Sequence, residues 1–394
     1  MLRVLQISPF AVPAEPRSGG AIRVAESARA YERAGCQVTR ACVVTRKRDL
    51  QSPLDIKLWS WQRAMRHHWG KPAHLGQLRV LWSGDGLMGW GQALCSKLNQ
   101  LSQPFDVLHL EHPWAAYALP SLLSHPRLHR ARIVYSAHNI ESELLHQIWH
   151  RSNQLTPAAE KMLTEVRAAE QFCAQRADLC WAVSDADADT LQNWGAKQIV
   201  IGPNGCRTLG NKSPQASIPK TPYALFVSGV HQPSIHSFRT LVAPWLAQLP
   251  PHTSIVVAGS AGSMLAGDPL LRAHVLSKRL ILAGEVSRSQ LDQLLHHARA
   301  VLLPIENSGG TNLKTAEALL SNRPIIATHV SMRGFEAWLQ TPGLHLTDTV
   351  DGFRERCVNI LSQGHIPDHS RPGISELTWE STLHHPVQFA LGTK

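Results

Sequence analysis

The chain has 394 residues, of which 43% are hydrophobic and 17% are charged, and its formal net charge is +10. This length exceeds the size at which one hydrophobic core usually stops growing, so we expect two domains. The composition excludes a largely disordered chain, and no apolar run approaches the length of about 20 residues that spans a bilayer. Residues 1–8 predict a short strand rather than a signal peptide, because they lack a long apolar region and a small-residue cleavage site.

Short apolar runs alternate with helical patterns through the first half of the chain. The predicted strands are residues 3–8, 37–44, 78–82, 106–110, 132–136, 179–183 and 198–202, and the predicted helices are residues 21–34, 87–101, 141–151, 157–176 and 186–194. Strands that alternate with helices predict a parallel sheet built from βαβ crossovers. In such sheets ligands bind beyond the carboxyl ends of the strands.

Half of the net positive charge lies between residues 46 and 71, where seven Lys or Arg side chains accompany two Asp side chains. On a helix over residues 57–69, two tryptophans, a leucine and a methionine share one face, and basic side chains cover much of the rest. Such a helix suits the headgroup region of an anionic membrane, and a helix packed on the core is the alternative. Nucleic-acid binding is not indicated, since no known module is recognisable.

Residues 84–89 read Gly-Asp-Gly-Leu-Met-Gly and match the dinucleotide fingerprint Gly-x-Gly-x-x-Gly. A strand precedes them, and Glu111 follows at the end of the next strand, so an NAD- or FAD-dependent oxidoreductase is a rival interpretation. However, the motif lies inside the first predicted domain rather than at its start. A turn before helix 87–101 is the simpler interpretation.

Two histidines follow predicted strands in the first half. His138, with Asn139 beside it, comes after strand 132–136, and His112 comes after strand 106–110. A neutral imidazole can polarise a hydroxyl or relay a proton. We prefer His138 to His112 as the functional residue, and a histidine that bonds a loop carbonyl is the alternative for both.

No metal site is predicted. Glu143, His146 and His150 share a helical face at spacing i, i+3 and i+7, but zinc would need a fourth ligand and supporting partners, so a solvated face is favoured. The seven cysteines are scattered and include no Cys-x-x-Cys pair. This usage is typical of a reduced, cytoplasmic protein without structural zinc.

A linker and a second α/β series follow. Residues 205–220 are rich in Gly, Pro, Ser and Asn and contain few large apolar residues, which indicates a linker. The next predicted strands are residues 224–227, 254–258, 280–282, 301–303 and 324–327, and the predicted helices are residues 236–248, 288–298, 312–321 and 350–362, with a last helix capped by Ser375 or Thr378. Two such series predict an α/β protein with two facing Rossmann-like domains. We place them at 1–205 and 222–374, with a linker at 206–221 and a C-terminal helix at 375–394.

Residues 304–317 form the most informative motif. An apolar strand runs into Gly309 and Gly310, and a helix then opens that carries Lys314 and, at i+3, Glu317. Backbone amides at a helix start attract anions, the lysine adds a positive charge, and the glutamate suits a sugar hydroxyl. The motif predicts a site for a phosphorylated ligand.

The alternative for this segment is an ordinary helix start. Thr311 or Asn312 would then be the N-cap, and the lysine would lie on a solvated face. Other strand ends in the second half support the ligand site, because glycine and polar residues recur at Ser228, Gly229, Gly259, Gly284 and Glu285. Each alone is typical of a turn, but together they predict one crevice.

The spacing Gly-x-x-x-Lys-x-x-Glu at residues 310–317 resembles that of the GT-B glycosyltransferases of family 4, the group 1 transferases, and the likeness runs through most of the chain. The resemblance implies that Gly309, Gly310 and Lys314 contact phosphates and that Glu317 binds the ribose. By the same resemblance, Ser228 and Gly229 lie near the diphosphate and Gly284 and Glu285 near the base. In the first domain it places Gly19 and Gly20 beside the reacting centre and His138 against the transferred sugar, and it packs the last helix toward that domain.

The sequence departs from the family pattern at one position. Many members carry a further glutamate where this chain has Gly309, so the residue that would recognise the donor sugar is altered. Glu306 is the candidate substitute, and a solvated loop carboxylate is the alternative.

The resemblance implies an enzyme and its partners. It implies a glycosyltransferase of hexosyl type that moves a sugar from a nucleotide diphosphate to a hydroxyl of a glycan or lipid-linked acceptor in polysaccharide or glycolipid assembly. It also implies retention at the anomeric carbon and no metal or cofactor besides the donor. A noncatalytic nucleotide-sugar-binding or scaffold protein is the alternative.

Overall fold

The computed structural model describes residues 1–16, 18–44, 46–57, 90–211, 219–230, 232–306, 312–364 and 369–392. Several predicted features lie outside these ranges: strand 78–82, residues 58–69 of the basic segment, the glycine motif at 84–89, and Gly309, Gly310 and Thr311. The chain forms two compact units. Unit 1 is Met1–Pro203 with Trp379–Lys394, and unit 2 is Asn204–Thr378.

Unit 1 contains a parallel sheet of seven strands in the order β3-β2-β1-β4-β5-β6-β7. The strands are β1 Arg3–Ser8, β2 Gln37–Val44, β3 Ile56–Lys57, β4 Val107–Glu111, β5 Arg132–Ser136, β6 Leu179–Ala182 and β7 Ile199–Ile201. The strand order reverses between β1 and β4, which pair in parallel with Ile7 opposite Leu110. Such a reversal opens a crevice at the carboxyl ends of the two strands.

The helices of unit 1 cover both faces of this sheet. In chain order they are α1 Gly19–Arg33, α2 Trp90–Leu98, α3 Leu119–Leu123, α4 Glu141–Arg151, α5 Pro157–Arg176 and α6 Asp185–Asn193. Side-chain oxygens cap three of them, because Ser18, Thr156 and Ser184 each accept a hydrogen bond from a backbone N–H three residues on. These caps explain why the helix starts follow the sequence pattern closely.

Unit 2 contains a parallel sheet of six strands in the order β10-β9-β8-β11-β12-β13. The strands are β8 Tyr223–Val227, β9 Ser254–Ala258, β10 Leu280–Gly284, β11 Ala300–Leu303, β12 Ile325–Ala327 and β13 Leu344–Leu346. The order reverses between β8 and β11, whose residues are almost completely buried. The carboxyl ends of β8, β9, β10 and β11 therefore share one edge, where the predicted donor residues lie.

The helices of unit 2 are short, and one prediction among them was wrong. In chain order they are α7 Gln232–Leu241, α8 Ala261–Ala266, α9 Arg272–Leu276, α10 Arg288–His297, α11 Leu313–Leu320 and α12 Val350–Ser362. The sequence predicted a single helix over 236–248, but α7 ends at Leu241 and a separate 3₁₀ helix covers Ala243–Gln248. Pro244 explains the break, because proline cannot donate the backbone hydrogen bond that would continue the helix.

The last helix begins directly after Thr378, the later of its two predicted caps. Residues Ile374–Leu377 form a 3₁₀ turn, and the α-helix α13 covers Trp379–Leu391 within unit 1. Its Pro386 lies against the chain at Gly202, where an added Cβ would approach the proline Cγ to 2.8 Å. Glycine is therefore required at that contact.

The described residues contain no helix that is both long and apolar enough to cross a membrane. All seven cysteines are free thiols, and six of them are buried. The predicted linker makes specific contacts in its described part. Gly210 N–H donates to Asp292 Oδ2 at 3.1 Å, and the Gly210 carbonyl accepts from His296 at 2.6 Å.

Candidate functional site

The first candidate site, which we call the lysine cluster, consists of Phe226, Ser228, Ser234 and Lys314 in unit 2. Lys314 lies in the first turn of α11, and its Nζ donates to Ser228 Oγ and Ser234 Oγ, each at 3.2 Å. The ammonium also lies 6.0 Å from the centre of the Phe226 ring. Burial lowers the pKa of Lys314 to about 8, although the Glu317 carboxylate acts in the opposite direction. Neutral hydroxyls compensate a desolvated cation poorly, so this position favours an incoming anion.

Glu317 is held by an arginine that the sequence did not reveal. Arg288 Nη1 donates to Glu317 Oε1 at 2.5 Å, and Arg288 Nε lies 3.1 Å from Asp292 Oδ1. Burial disfavours the charged guanidinium, but Glu317 and Asp292 raise its pKa above the ordinary value. The Glu317 side chain is 20% exposed. Arg288 therefore fixes one carboxylate oxygen, and within the described ranges Glu317 Oε2 makes no such contact.

The strand-end glycines of unit 2 lie close together. Gly259 N–H donates to the Gly284 carbonyl at 2.7 Å, and Ser228 N–H donates to the Ala258 carbonyl at 2.9 Å. Gly259 has φ +105°, and a Cβ there would lie 2.3 Å from the Ser228 carbonyl oxygen. Only glycine allows these backbones to approach so closely.

The neighbouring predicted residues lie beside this backbone cluster. Gly229 follows Ser228, and a Cβ added to it would lie 3.8 Å from Ser260 Oγ. Glu285 follows Gly284 and is exposed. The carboxyl edge of β8, β9 and β10 thus brings together the polar and glycine positions expected to face the diphosphate and the base.

Glu306, the predicted substitute for the missing glutamate, is tied to α7. Its Oε2 accepts from Thr240 Oγ1 at 2.6 Å, and its backbone N–H donates to Ser237 Oγ at 3.2 Å. Ser234, which contacts Lys314, lies on the same helix. Glu306 is therefore an anchored side chain rather than a freely solvated one. Asn312 is the N-cap of α11, but its side chain makes no capping hydrogen bond.

The second candidate site, which we call the histidine cluster, consists of Glu111, His112, His138 and Glu141 in unit 1. His138 Nε2 lies 2.6 Å from Glu111 Oε2, and the ring centres of His112 and His138 are 3.9 Å apart. Burial and the neighbouring His112 lower the pKa of His138 to about 3, although Glu111 opposes that shift. The His138 imidazole is therefore neutral at physiological pH.

His112, the competing candidate, lies in the same cluster. Its Nδ1 is 3.1 Å from Glu141 Oε1, and its buried Nε2 has no hydrogen-bond partner among the described residues. The backbone of His112 has φ +64°, an uncommon conformation for a residue with a side chain. Strain of this kind persists only where the surrounding structure enforces it, and it is frequent at functional sites.

The start of α1 adjoins His112. A Cβ added to Gly20 would lie 3.8 Å from His112 Nε2 and 3.0 Å from the Phe10 ring. Gly19 opens the helix, and Ser18 caps it by accepting from Ala21 N–H. The structure therefore brings Gly20, His112 and His138 together at the carboxyl edge of β1, β4 and β5.

Asn139 contacts Glu141, one of the two carboxylates of the histidine cluster. Its Nδ2 donates to Glu141 Oε1 at 3.1 Å, and Glu170 accepts from the backbone N–H groups of Glu141 and Ser142 at 2.5 and 3.2 Å. Burial raises the pKa of Glu170 to about 8. Asn139 thus orients the carboxylate that holds His112.

Within the described ranges, no group of three or more His, Cys, Asp or Glu side chains is arranged to hold a metal ion. His146 and His150, which the sequence placed on one face of α4, have ring centres 6.0 Å apart.

Two family profiles match the chain. The Glycosyl transferase 4-like domain matches residues 18–205, and the Glycosyl transferases group 1 domain matches residues 221–363. The two matches together cover most of the chain. The chain belongs to the group 1 glycosyltransferases. No curated protein matches its sequence. The family predicted from residues 310–317 is thereby confirmed.

Solved structures share the fold of this glycosyltransferase along nearly its whole length. Sucrose-phosphate synthase from Thermosynechococcus elongatus has a TM-score of 0.66 and 16% identity, and the match covers 100% of this chain and 94% of that chain. HepE from Anabaena, in complex with UDP-glucose, has a TM-score of 0.62 and 15% identity, covering 100% of both chains. Trehalose-6-phosphate synthase OtsA has a TM-score of 0.64 and 14% identity, covering 100% of this chain and 98% of that chain. The predicted GT-B fold class is confirmed.

Proposed function

We propose that this group 1 glycosyltransferase moves a sugar from a nucleotide diphosphate to a hydroxyl acceptor. The observation that carries the proposal is Lys314, a desolvated cation at a helix start whose described partners are two neutral hydroxyls. A diphosphate would supply the missing negative charge. The proposed enzyme uses no metal and no cofactor besides the donor. Lys314 and the backbone amides at the start of α11 then stabilise the departing diphosphate.

In the proposed donor complex, Gly309, Gly310 and Lys314 contact the phosphates, and Glu317 binds the ribose through Oε2. Gly284 and Glu285 lie near the base. HepE is a neighbour with 15% identity that was solved with UDP-glucose and with UDP, which supports a uridine nucleotide as the first donor to test.

In the proposed reaction, the neutral His138 ring contacts the transferred sugar, and Gly20 lies beside the reacting centre. A neutral imidazole suits this role because it bonds hydroxyls without repelling the positive charge that develops on the sugar ring. We propose retention at the anomeric carbon, in keeping with the family resemblance. We assign the acceptor to glycans or lipid-linked glycans in polysaccharide or glycolipid assembly.

The test is the binding of nucleotides to purified protein. UDP, GDP, ADP and their sugars are screened for a rise in melting temperature, and the stabilising donor is then assayed for transfer and slow hydrolysis. Lys314→Ala removes the stabilisation, whereas Lys220→Ala, an exposed lysine of the same unit, retains it. No stabilisation by any of these ligands would contradict the proposal. Donor hydrolysis by the purified protein would exclude a noncatalytic scaffold.

We further propose a cytoplasmic enzyme that touches an anionic membrane surface through residues 57–69. The described part that leads into this segment supports the proposal, because Arg46, Lys47, Arg48 and Lys57 line a cavity of about 430 Å³. Cations near an anionic surface each contribute about 1 kcal/mol of attraction. Deletion of residues 57–69 is expected to abolish binding to vesicles that contain anionic lipid, and unchanged binding would contradict the proposal.

A further inference from the structure

The carboxylate of Glu111 lies at the centre of a buried polar network in unit 1. Glu111 is the last residue of β4 and pairs with Ser136, the last residue of β5, two positions before His138. Its side chain is completely buried. A buried carboxylate is costly unless hydrogen-bond donors surround it, so its partners indicate what it does.

The orientation of the Gln6 amide is fixed by three contacts. Gln6 Oε1 accepts from Arg40 Nε at 3.0 Å, while Gln6 Nε2 donates to the Val24 carbonyl at 2.8 Å and to Glu111 Oε1 at 2.6 Å. A flipped amide would point its oxygen at two acceptors and its nitrogen at a cation. Glu111 Oε1 therefore receives an N–H.

His109 lies beside the same oxygen. Its Nδ1 lies 3.0 Å from the Tyr31 hydroxyl, and its Nε2 lies 3.2 Å from Glu111 Oε1. Burial raises the pKa of Tyr31 well above its ordinary value, so the hydroxyl keeps its proton and can donate it to Nδ1. The His109 ring therefore lies beside Glu111 Oε1 and is held at Nδ1 by the Tyr31 hydroxyl.

These contacts keep Glu111 ionised. Burial alone would raise the pKa of this carboxyl, but His109 and His138 hold it well below its ordinary value. Gln6 Nε2 donates to Oε1, His109 Nε2 lies 3.2 Å from that oxygen, and Oε2 faces His138 Nε2 at 2.6 Å. An ionised oxygen only accepts, so His138 Nε2 must carry a proton.

We propose that Glu111 is a positioning residue that fixes His138 as the Nε2–H tautomer, so that Nδ1 presents a lone pair to a sugar hydroxyl. This assignment rests on the proposed function for the role of Nδ1, but the tautomer itself follows from the network alone. His138 thus binds its hydroxyl as a hydrogen-bond acceptor and gains no proton in the complex.

The wild-type protein tests the tautomer directly. Protein labelled with ¹⁵N-histidine is examined at neutral pH by long-range ¹H–¹⁵N correlation, and the His138 ring is assigned from the signals lost in His138→Asn. The expected spectrum shows a protonated Nε2 and an unprotonated Nδ1. A protonated Nδ1, or two averaged nitrogen shifts, would overturn the proposal.

Glu111→Gln provides a sharper test because its orientation is dictated by the network. Gln6 Nε2 donates to the Oε1 position, so the new amide must place its carbonyl there and its NH₂ group toward His138. The tautomer of His138 is then expected to reverse to Nδ1–H. The kcat for transfer or donor hydrolysis is expected to fall about 100-fold, with a KM for donor changed less than about twofold. Retention of the Nε2–H tautomer in this variant would refute the assignment.

Glu141→Gln is the matched control. Glu141 is the neighbouring carboxylate, but it bonds His112 rather than His138. This variant is expected to leave His138 in the Nε2–H form, and reversal there as well would overturn the specific role of Glu111. Should no nucleotide sugar bind the protein, the proposed function fails while the measured tautomer still decides the role of Glu111. If Glu111→Gln does not fold, the wild-type spectrum alone tests the Nε2–H tautomer of His138.

Discussion

The lysine cluster and the histidine cluster hold their charges in opposite ways. In unit 2, the Lys314 ammonium is desolvated and contacts two serine hydroxyls. In unit 1, the Glu111 carboxylate is more deeply buried, yet it accepts hydrogen bonds from Gln6 and His138, and the His109 ring lies beside it. The first charge is undercompensated and suits a ligand of opposite sign. The second is satisfied by the protein itself and orients a neutral ring.

This difference indicates that the two clusters have different functions. An undercompensated cation gains most when an anion binds, so the lysine cluster is suited to binding the donor and to stabilising a leaving group. A satisfied network gains nothing from an incoming charge but fixes geometry and protonation. Substitutions in unit 2 leave the histidine cluster of unit 1 unchanged as an internal reference.

The largest effect is expected at Lys314. Lys314→Met keeps the length and apolar stem of the side chain but removes the charge, so transfer should fall about 100- to 1,000-fold. Because the variant buries no cation, the ligand-free protein should melt at an unchanged or higher temperature. Activity assays and melting curves with and without UDP measure both effects. Near-normal transfer by Lys314→Met would show that the cluster does not hold the diphosphate.

The next largest effect is a pH dependence of donor affinity, which we expect from the lysine cluster and not from the histidine cluster. The folded pKa of Lys314 is about 8, below the ordinary value of 10.5, so donor affinity should fall about tenfold for each pH unit above 8. The same group should make the ligand-free fold more stable as pH rises from 8 to 10.5, because the unfolded chain binds the proton more tightly there. His138, with a pKa of about 3, should add no inflection between about pH 5 and 8. Affinity that stays flat across pH 8 would contradict the buried ammonium.

A smaller effect is expected at Arg288, which holds one oxygen of Glu317. Arg288→Gln should weaken UDP binding about tenfold, because Glu317 loses its fixed orientation. Glu317→Gln should weaken binding at least as much, and the double variant should cost less than the sum of the two. Titration calorimetry on the three variants measures this coupling. Additive losses would show that Arg288 and Glu317 act independently.

The smallest effect on the transfer rate is expected at Gly259. A substitution there should instead lower the stability of the fold. Gly259→Ala places a Cβ 2.3 Å from the Ser228 carbonyl oxygen at φ +105°, so the free energy of unfolding should fall by about 2 kcal/mol or more. Gly364→Ala is the control, because its Cβ would meet nothing within 4 Å. Denaturant unfolding of the two variants compares them. Equal free energies of unfolding would show that the loop accommodates the added Cβ with little loss of stability.

Much of the fold was predictable from the sequence. The runs at 132–136, 141–151, 157–176, 254–258 and 350–362 match their elements at both ends, since apolar periodicity and Ser or Thr caps act over a few residues. The break after Leu241 was missed although Pro244 signals it. The two-residue strand β3 and the short strand β13 were also missed, because their sequences carry too few residues for a periodic pattern.

The candidate sites were predictable only in part. Lys314 and Glu317 lie in one motif, so their spacing could be recognised from the sequence. His112 and His138 were found because each follows a predicted strand. Arg288 pairs with Glu317 across 29 positions, and Gln6 pairs with Glu111 across 105 positions. Such pairings have no local signature, so these partners were missed.

By itself, the sequence determined the two α/β series, their parallel sheets and the helix that carries Lys314 and Glu317, because these depend on periodicity and on residues close together in the chain. The tertiary structure decided which distant polar groups meet: Glu111 with Gln6, His109 and His138, and Arg288 with Glu317. It also decided the charge on each group, since burial and the neighbouring donors set the pKa values of Lys314, Glu111 and His138.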